Sequence, residues 1–185
     1  MGPWMLIGQI FGVLVTVGCV VTAQLPKRWQ LLLGLAVVNL FSALNQLFIG
    51  AGLTAAAICF LAVLHCALNS CKAKRNIPIR MWENVLFSVL YFLAWGAAFL
   101  VSLQAGSASF TDALPLLATV CFVSSVFAPH PQQIRAFSFC NSLVYCVYNL
   151  IHLNVAVVAT LIDMTSLVLA MLRYRKHPEA KGEEI

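Results

Sequence analysis

Seven apolar segments, separated by short polar connections, occupy most of this chain. Each runs for 15 to 20 residues, and together they cover residues 4–23, 31–49, 53–70, 85–103, 114–128, 137–151 and 155–172. An α-helix rises about 1.5 Å per residue and the hydrocarbon core of a bilayer is about 30 Å thick, so each segment is long enough, or nearly so, to cross it. The pattern predicts an all-α membrane protein with seven transmembrane helices.

Positively charged residues lie in alternate connections. All eleven Lys and Arg residues fall in the first, third and fifth connections and in the C-terminal tail, as Lys27, Arg28, Lys72, Lys74, Arg75, Arg80, Arg135, Arg173, Arg175, Lys176 and Lys181. Loops rich in Lys and Arg stay on the cytoplasmic side of a membrane. We therefore expect the N-terminus outside and the C-terminus in the cytoplasm.

Composition indicates a lipid environment. Apolar residues make up 62% of the chain and charged residues 9%, with a mean hydropathy of +0.92, which leaves too little polar surface to cover a water-soluble globule. The net charge of +5 resides in the connections and the tail, where it orients the chain and contacts anionic lipid. We expect the lipid bilayer as a partner and no nucleic acid.

The polar connections divide the seven helices into groups. The main breaks are the basic stretch 72–80 and the Gly/Ser-rich stretch 104–109. Three crossings leave the chain on the opposite face, so a second group of three shares the orientation of the first only if one extra helix intervenes. We predict a 3+1+3 arrangement of parallel three-helix bundles: residues 1–71 form the first bundle, 72–109 a basic loop and inverting linker helix, 110–176 the second bundle, and 177–185 a cytoplasmic tail.

Four of the predicted helices carry short motifs: Gln9-x-x-Gly12 in the first, Pro115-x-x-x-Thr119 in the fifth, Tyr145-x-x-Tyr148-Asn149 in the sixth, and the basic residues that end the seventh. With these motifs the chain resembles the YgjV family of bacterial inner membrane proteins over nearly its whole length. That family is similar in turn to the SWEET and PnuC (MtN3-like) transporters. The resemblance implies a multi-pass protein of the bacterial inner (plasma) membrane, two parallel three-helix bundles and transport of a small solute.

Polar side chains at helical spacing form stripes on three predicted spans. The sixth helix carries Ser138, Asn141, Tyr145, Tyr148, Asn149 and His152, the second Asn39, Ser42, Asn45 and Gln46, and the seventh Thr160, Asp163 and Ser166. Such stripes either line a hydrated cavity or hold helices together through interhelical hydrogen bonds. Because several stripes exceed what adhesion requires, we favour a substrate cavity lined by Asn39, Asn45, Asn141, Tyr145, Tyr148, Asn149, Asp163 and Ser166. Asn45 and Asn149, near the outer helix ends, are equally suited to an outer gate and to capping those ends.

Asp163 is an acidic residue inside a predicted span, about ten residues and about 15 Å from either end. An ionised carboxylate is costly there unless it is protonated, hydrated or paired, so Asp163 is a candidate proton or cation site. The alternative is a protonated Asp that only ties two helices together. His65 is a second candidate, placed about 9 Å nearer the cytoplasm. That offset favours a water-linked relay over a direct ion pair, and a packed polar histidine is the simpler interpretation.

Catalytic and cofactor motifs are missing from the spans. The sequence contains no HExxH, no GxSxG and no paired carboxylates there. Its seven cysteines form no CxxC pair and no metal-ligand spacing with histidine. We expect no enzyme activity, no metal and no other cofactor, and we interpret the cysteines as small apolar residues of the bundle.

The predicted function is that of a small-solute transporter or facilitator working by alternating access between the two bundles. No Lys or Arg lies within the apolar segments, so their Asn, Tyr and Ser side chains favour a neutral hydroxylated substrate such as a sugar, nucleoside or vitamin. The alternative is a non-transporting structural or regulatory membrane protein of the same fold, whose core would lack a hydrated cavity. A homo-oligomer is compatible with either function.

Overall fold

The computed structural model describes residues 3–49, 53–104, 106, 111, 113–151 and 156–176. Within these residues the chain forms seven α-helices, α1 (Pro3–Ala23), α2 (Arg28–Ile49), α3 (Leu53–Lys74), α4 (Met81–Gln104), α5 (Ala113–Phe127), α6 (Pro131–Ile151) and α7 (Ala156–Lys176). The predicted all-α class is therefore confirmed. His152 of the predicted sixth-helix stripe and the predicted tail, residues 177–185, lie outside the described residues.

Six of these helices are long and apolar enough to cross a membrane, and α5 is shorter. Its 15 residues make a helix about 22 Å long, which is less than the hydrocarbon thickness of about 30 Å. Large apolar side chains point outward, for example Leu93 on α4, which is 63% exposed, and Val13 on α1, which is also 63% exposed. Apolar exposure on this scale is expected of helices whose surroundings are lipid.

The helices extend beyond the apolar segments at one end of the bundle. Helix α2 begins at Arg28, α6 begins at Pro131, and α3 and α7 run on to Lys74 and Lys176. Backbone hydrogen bonding continues through polar residues, and a hydropathy pattern does not detect these extensions. At the start of α2 the side chain of Gln30 accepts a hydrogen bond of 3.3 Å from the backbone N–H of Lys27, which satisfies a donor ahead of the first turn.

Each group of three helices packs around its middle member. Helix α2 packs between α1 and α3, and α6 packs between α5 and α7. The two groups meet where α1 contacts α7, where α3 contacts α5, and where α2 approaches α6. Helix α4 packs on α3 and α5. We call α1–α3 the first half and α5–α7 the second half.

Glycines permit the close approach of α1 and α2. A Cβ atom added at Gly8 would lie 2.6 Å from Cγ2 and 3.3 Å from the backbone nitrogen of Ile49. One added at Gly34 would lie 2.4 Å from the hydroxyl oxygen of Thr22. The distances of 2.6 and 2.4 Å are too short for a real Cβ atom, so these glycines serve helix packing, as small residues commonly do in membranes.

One end of the bundle collects the basic residues, and we call it the basic end. Helices α1, α3, α5 and α7 finish there, and α2, α4 and α6 begin there. The hydroxyl of Ser70 donates a hydrogen bond of 2.7 Å to the carbonyl of Trp29, and Lys72 forms an ion pair with Glu83 at the start of α4. The largest apolar core, formed by Leu31, Leu32, Ala36, Cys66, Val126, Ala128 and Ile134, lies close to this end and joins both halves.

Candidate functional site

Asp163 lies at a junction of three helices. Its Oδ2 accepts a hydrogen bond of 2.5 Å from the hydroxyl of Ser142 on α6, and Ser142 is only 6% exposed. Helix α1 also packs on α7. Asp163 is half-buried, and its carboxyl group contacts α6.

The position of Asp163 along its helix differs from the expected midpoint. Asp163 is the eighth residue of α7, which continues for thirteen more residues to Lys176. The apolar segment ends at residue 172, but the helix carries on through the basic residues that follow. Asp163 thus lies nearer the end of α7 that is opposite the basic end.

Polar contacts continue from Asp163 toward the basic end along the line where α1 meets α7. Ser166 follows Asp163 by three residues, or about 4.5 Å along the helix axis. The side-chain amide of Gln24 donates to the hydroxyl and to the carbonyl of Ser166, both at 3.2 Å. The hydroxyl of Tyr174 donates to the carbonyl of Gln24 at 2.7 Å. We call Ser166, Gln24 and Tyr174 the polar seam.

Arg135 closes the polar seam at the basic end. Its side chain is 1% exposed, and its guanidinium donates to the carbonyls of Ala23 at 3.0 Å and Leu25 at 2.5 Å. The guanidinium also lies 4.4 Å from the ring centroid of Tyr174. Carbonyls at the C-terminus of a helix have no partner within the helix and carry partial negative charge, so a buried arginine is well satisfied there.

Arg28 makes the corresponding contact from the first half to the second half. From the start of α2 its guanidinium donates to the carbonyls of Ala128 at 2.9 Å and Val126 at 3.4 Å, at the end of α5. Each middle helix thus provides an arginine that binds the carbonyls ending the first helix of the other half. We call Arg28 and Arg135 the arginine pair.

An open groove of about 430 Å³ runs beside the polar seam between α1 and α7. Gln24, Thr165 and Ser166 border it, and its remaining walls are Val, Leu and Ile side chains. The hydroxyl of Thr165 donates to the carbonyl of Leu161 in its own helix at 2.8 Å, so it takes no part in the seam. Within the described ranges, no group of three or more His, Cys, Asp or Glu residues is arranged to hold a metal ion.

The model of the Imp-YgjV family, described as a bacterial inner membrane protein, matches residues 6–181. The chain belongs to the Imp-YgjV family. With its apolar helices it is a multi-pass protein of the bacterial inner membrane, as the motifs predicted. No curated protein and no solved structure matches the chain.

The sixth helix of this Imp-YgjV protein buries one member of the predicted stripe, Asn149, and two polar residues outside it. Arg135, Ser142 and Asn149 are buried, whereas Tyr145 is 37% exposed and Asn141 is half-buried. Sequence reasoning therefore missed Ser142 and Arg135. Their spacing was a usable signal, because residues seven apart lie within about 20° of each other around a helix.

The two predicted asparagines of α2 bind backbone carbonyls in this Imp-YgjV chain. Asn39 donates to the carbonyl of Leu35 in its own helix at 2.8 Å. Asn45 donates to the carbonyl of Gly8 on α1 at 2.7 Å, which is a contact within the first half. On α6, Tyr148 is half-buried.

His65 is placed apart from Asp163. It is completely buried and its ring stacks on Phe87 of α4 at a centroid distance of 4.1 Å. Phe127 of α5 lies edge-on at 5.1 Å, and Tyr91 lies at 5.9 Å. Neither ring nitrogen has a hydrogen-bond partner among the described residues. His65 thus packs between α3, α4 and α5, whereas Asp163 lies between α1, α6 and α7.

Proposed function

We propose that the protein is a small-solute transporter or facilitator that works by alternating access. The observation that carries this proposal is the arginine pair. Two buried or half-buried arginines tie the halves together at one end through backbone carbonyls, at distances of 2.5 to 3.4 Å. Water can replace a carbonyl as the partner of a guanidinium, so these contacts are suited to breaking and reforming.

We propose further that the halves are parallel three-helix bundles joined by α4 as an inverting linker, the 3+1+3 arrangement. A two-fold axis along the membrane normal would exchange the α1–α7 contact with the α5–α3 contact and would leave the α2–α6 contact in place. It would also exchange the end of α5, which binds Arg28, with the end of α1, which binds Arg135, although these arginines are the first residue of α2 and the fifth residue of α6. The observed helix contacts and the arginine pair support this symmetry.

The basic end is the cytoplasmic end in this proposal, because Lys and Arg remain on the cytoplasmic side. The N-terminus is then outside and the C-terminus inside. The conformation described here has the halves tied together at the cytoplasmic end, so it represents a state closed to the cytoplasm. Rocking of the halves would separate the arginine pair from its carbonyls and open that end.

The substrate proposed is a neutral hydroxylated solute such as a sugar, nucleoside or vitamin. Asn141, Tyr145, Tyr148 and Asn149 of α6 would meet it, with Asn39 and Asn45 of α2 from the other half and Ser166 beside Asp163. Asp163 is the proposed proton or cation site, since Ser142 orients its carboxyl group inside the bundle. His65 remains a second candidate. The protein would act without covalent chemistry and without a cofactor, in contact with the bilayer and not with nucleic acid.

A second candidate function, a structural or regulatory membrane protein, is favoured by one kind of contact. The side chain of Asn45 and the pair of Ser142 and Asp163 form interhelical hydrogen bonds, which hold helices together whether or not a solute passes. The two functions differ in whether the arginine pair has to release its carbonyls.

The experiment is solute counterflow in proteoliposomes, preceded by a thermal-shift screen of sugars, nucleosides and vitamins. We expect at least one solute to stabilise the wild type and to exchange across the membrane, and Arg135→Gln to slow the exchange. Arg75→Gln is the matched control, because Arg75 is an exposed arginine of the α3–α4 connection. Absence of both stabilisation and counterflow for every solute, together with slow hydrogen exchange at the basic end, would favour the structural alternative.

A further inference from the structure

Three polar side chains lie between Asp163 and the basic end. The hydrogen bond between Ser142 and Asp163 does not involve any of them. Ser166 lies three residues nearer the basic end of α7 than Asp163. The side chain of Gln24, at the end of α1, binds Ser166, and the hydroxyl of Tyr174 binds the carbonyl of Gln24. The hydroxyl of Ser166 also lies 3.3 Å from the carbonyl of Val20. Polar groups are costly in a membrane unless they have partners, and ionisable residues such as Asp163 commonly mark routes for ions or protons there.

An open groove borders the polar seam. Its volume is about 430 Å³, it touches both Gln24 and Ser166, and its remaining walls, apart from Thr165, are Val, Leu and Ile side chains. The carbonyl and hydroxyl of Ser166 and the amide of Gln24 supply the hydrogen-bond partners that an ordered water requires. By contrast, the other seam between the halves, where α3 meets α5, is filled by His65, Phe87, Tyr91 and Phe127.

We propose that Asp163 exchanges protons with the cytoplasmic solution along the polar seam, through Ser166, Gln24 and intervening water, and that Arg135 and Tyr174 gate the cytoplasmic end of this route. The carboxylate takes up one proton from water at the cytoplasmic face and returns one proton to it, with no other bond made or broken. This inference rests on the proposed function for the orientation of the chain and for the use of the proton in transport.

The groups that face Asp163 are consistent with such a role. The titratable residue of α1 is Cys19, and on α6 the contact is the hydroxyl of Ser142, which has no charge to lose. The fixed charge on the route is the guanidinium of Arg135 at the basic end, beside Tyr174, whose ring also lies 5.7 Å from Arg173. Positive charge there repels a cation until Arg135 moves, so opening the basic end and admitting the proton are one movement.

The experiment measures the reaction of Asp163 with dicyclohexylcarbodiimide, which modifies protonated carboxyl groups inside membranes. Right-side-out and inverted vesicles containing the full chain are labelled at a series of pH values on one side while the other side is held constant. Mass spectrometry of the peptide that carries Asp163 gives the labelling rate without any solute. Gln24→Leu interrupts the seam, and Thr165→Val is the matched control that borders the same groove.

In the wild type we expect labelling to fall within seconds of raising the cytoplasmic pH. In Gln24→Leu that response should be about tenfold slower, equivalent to adding about 1.4 kcal/mol to the barrier, while the response to external pH stays as in wild type. Thr165→Val should behave like the wild type.

The proposal is overturned if Gln24→Leu keeps the wild-type response to cytoplasmic pH, or if it loses the responses to both sides equally. Thermal unfolding of each variant in detergent shows whether it is folded, and Gln24→Glu, which keeps a polar group in the seam, should restore the response if Gln24→Leu is unstable. Because no solute is used, a failed transport assay leaves this result intact, and a failed labelling result leaves solute counterflow to be judged separately.

Discussion

Arg28 of α2 binds the carbonyls that end α5, and Arg135 of α6 binds those that end α1. The guanidinium-to-carbonyl distances are 2.9 and 3.4 Å for Arg28 and 3.0 and 2.5 Å for Arg135. A reciprocal contact of this kind joins the two halves at one end only through side chains and helix termini. In the proposed mechanism this is the end at which the halves separate.

Removing the charge of Arg135 should destabilise the protein more than removing that of Arg28. Arg135→Gln leaves two buried carbonyls without their donor, which should lower the free energy of unfolding by about 1 to 3 kcal/mol. Arg28 is only half-buried, so water can replace it and Arg28→Gln should cost less. Unfolding in mixed detergent micelles measures both, with Arg75→Gln expected to stay within about 0.5 kcal/mol of wild type. Equal losses for all three variants would contradict the reciprocal contact.

Substitutions at Asp163 separate a coupling role from a structural one. Asp163→Asn keeps the size and the hydrogen bond to Ser142 but cannot exchange a proton, so it should fold normally and lose pH-dependent uptake. Asp163→Leu should lower stability by about 0.6 to 1.7 kcal/mol, the range for an interhelical hydrogen bond in a membrane. Unfolding and uptake at two pH values give the answer, and an Asn variant with wild-type pH dependence would exclude coupling at this residue.

The hydrogen bond between Ser142 and Asp163 should appear as an energetic coupling. Ser142→Ala and Asp163→Leu each remove this hydrogen bond. The loss of unfolding free energy in the double variant should therefore be smaller than the sum of the two single losses, by about 0.5 to 1.5 kcal/mol. Unfolding of the four proteins in the same detergent provides the cycle. Additive losses would mean that the two side chains do not interact in the membrane.

Glycine substitutions should distinguish the α1–α2 interface from the surface of α4. Gly8→Ala places a Cβ against the backbone of Ile49 and should destabilise the protein by about 1 to 3 kcal/mol. At Gly96 a Cβ meets nothing within 4 Å, and alanine raises helix propensity by up to about 1 kcal/mol. Thermal unfolding should therefore move in opposite directions for the two variants, and a loss at both positions would contradict the described packing.

The orientation is tested by topology reporters. A reporter fused after Ile185 should be active only in the cytoplasm, and one inserted near Gly106 only outside. The expected result follows from the confinement of Lys and Arg to alternate connections. Activity of both reporters on the same side would rule out the seven-span topology.

The sequence alone determined the helices and their order. A backbone in lipid must satisfy its hydrogen bonds within each segment, so every apolar run of sufficient length becomes a helix wherever its neighbours lie. The six long helices, the shorter α5 and the collection of basic residues at one end all follow from this rule and from the charge pattern. Only the ends were misjudged, because α2, α3, α6 and α7 continue into polar residues.

Which polar side chains meet was decided by the tertiary structure. Helix rotation about its own axis depends on packing against several neighbours, so hydropathy could not tell that Ser142, and not Asn141, faces Asp163. The long side chains of Arg28 and Arg135 reach carbonyls about a hundred residues away in sequence, which no local pattern encodes. The sequence places both His65 and Asp163 inside predicted spans. Packing separates them: His65 lies where α3 meets α5, beside the aromatic rings of α4, and Asp163 lies near the polar contacts between α1 and α7.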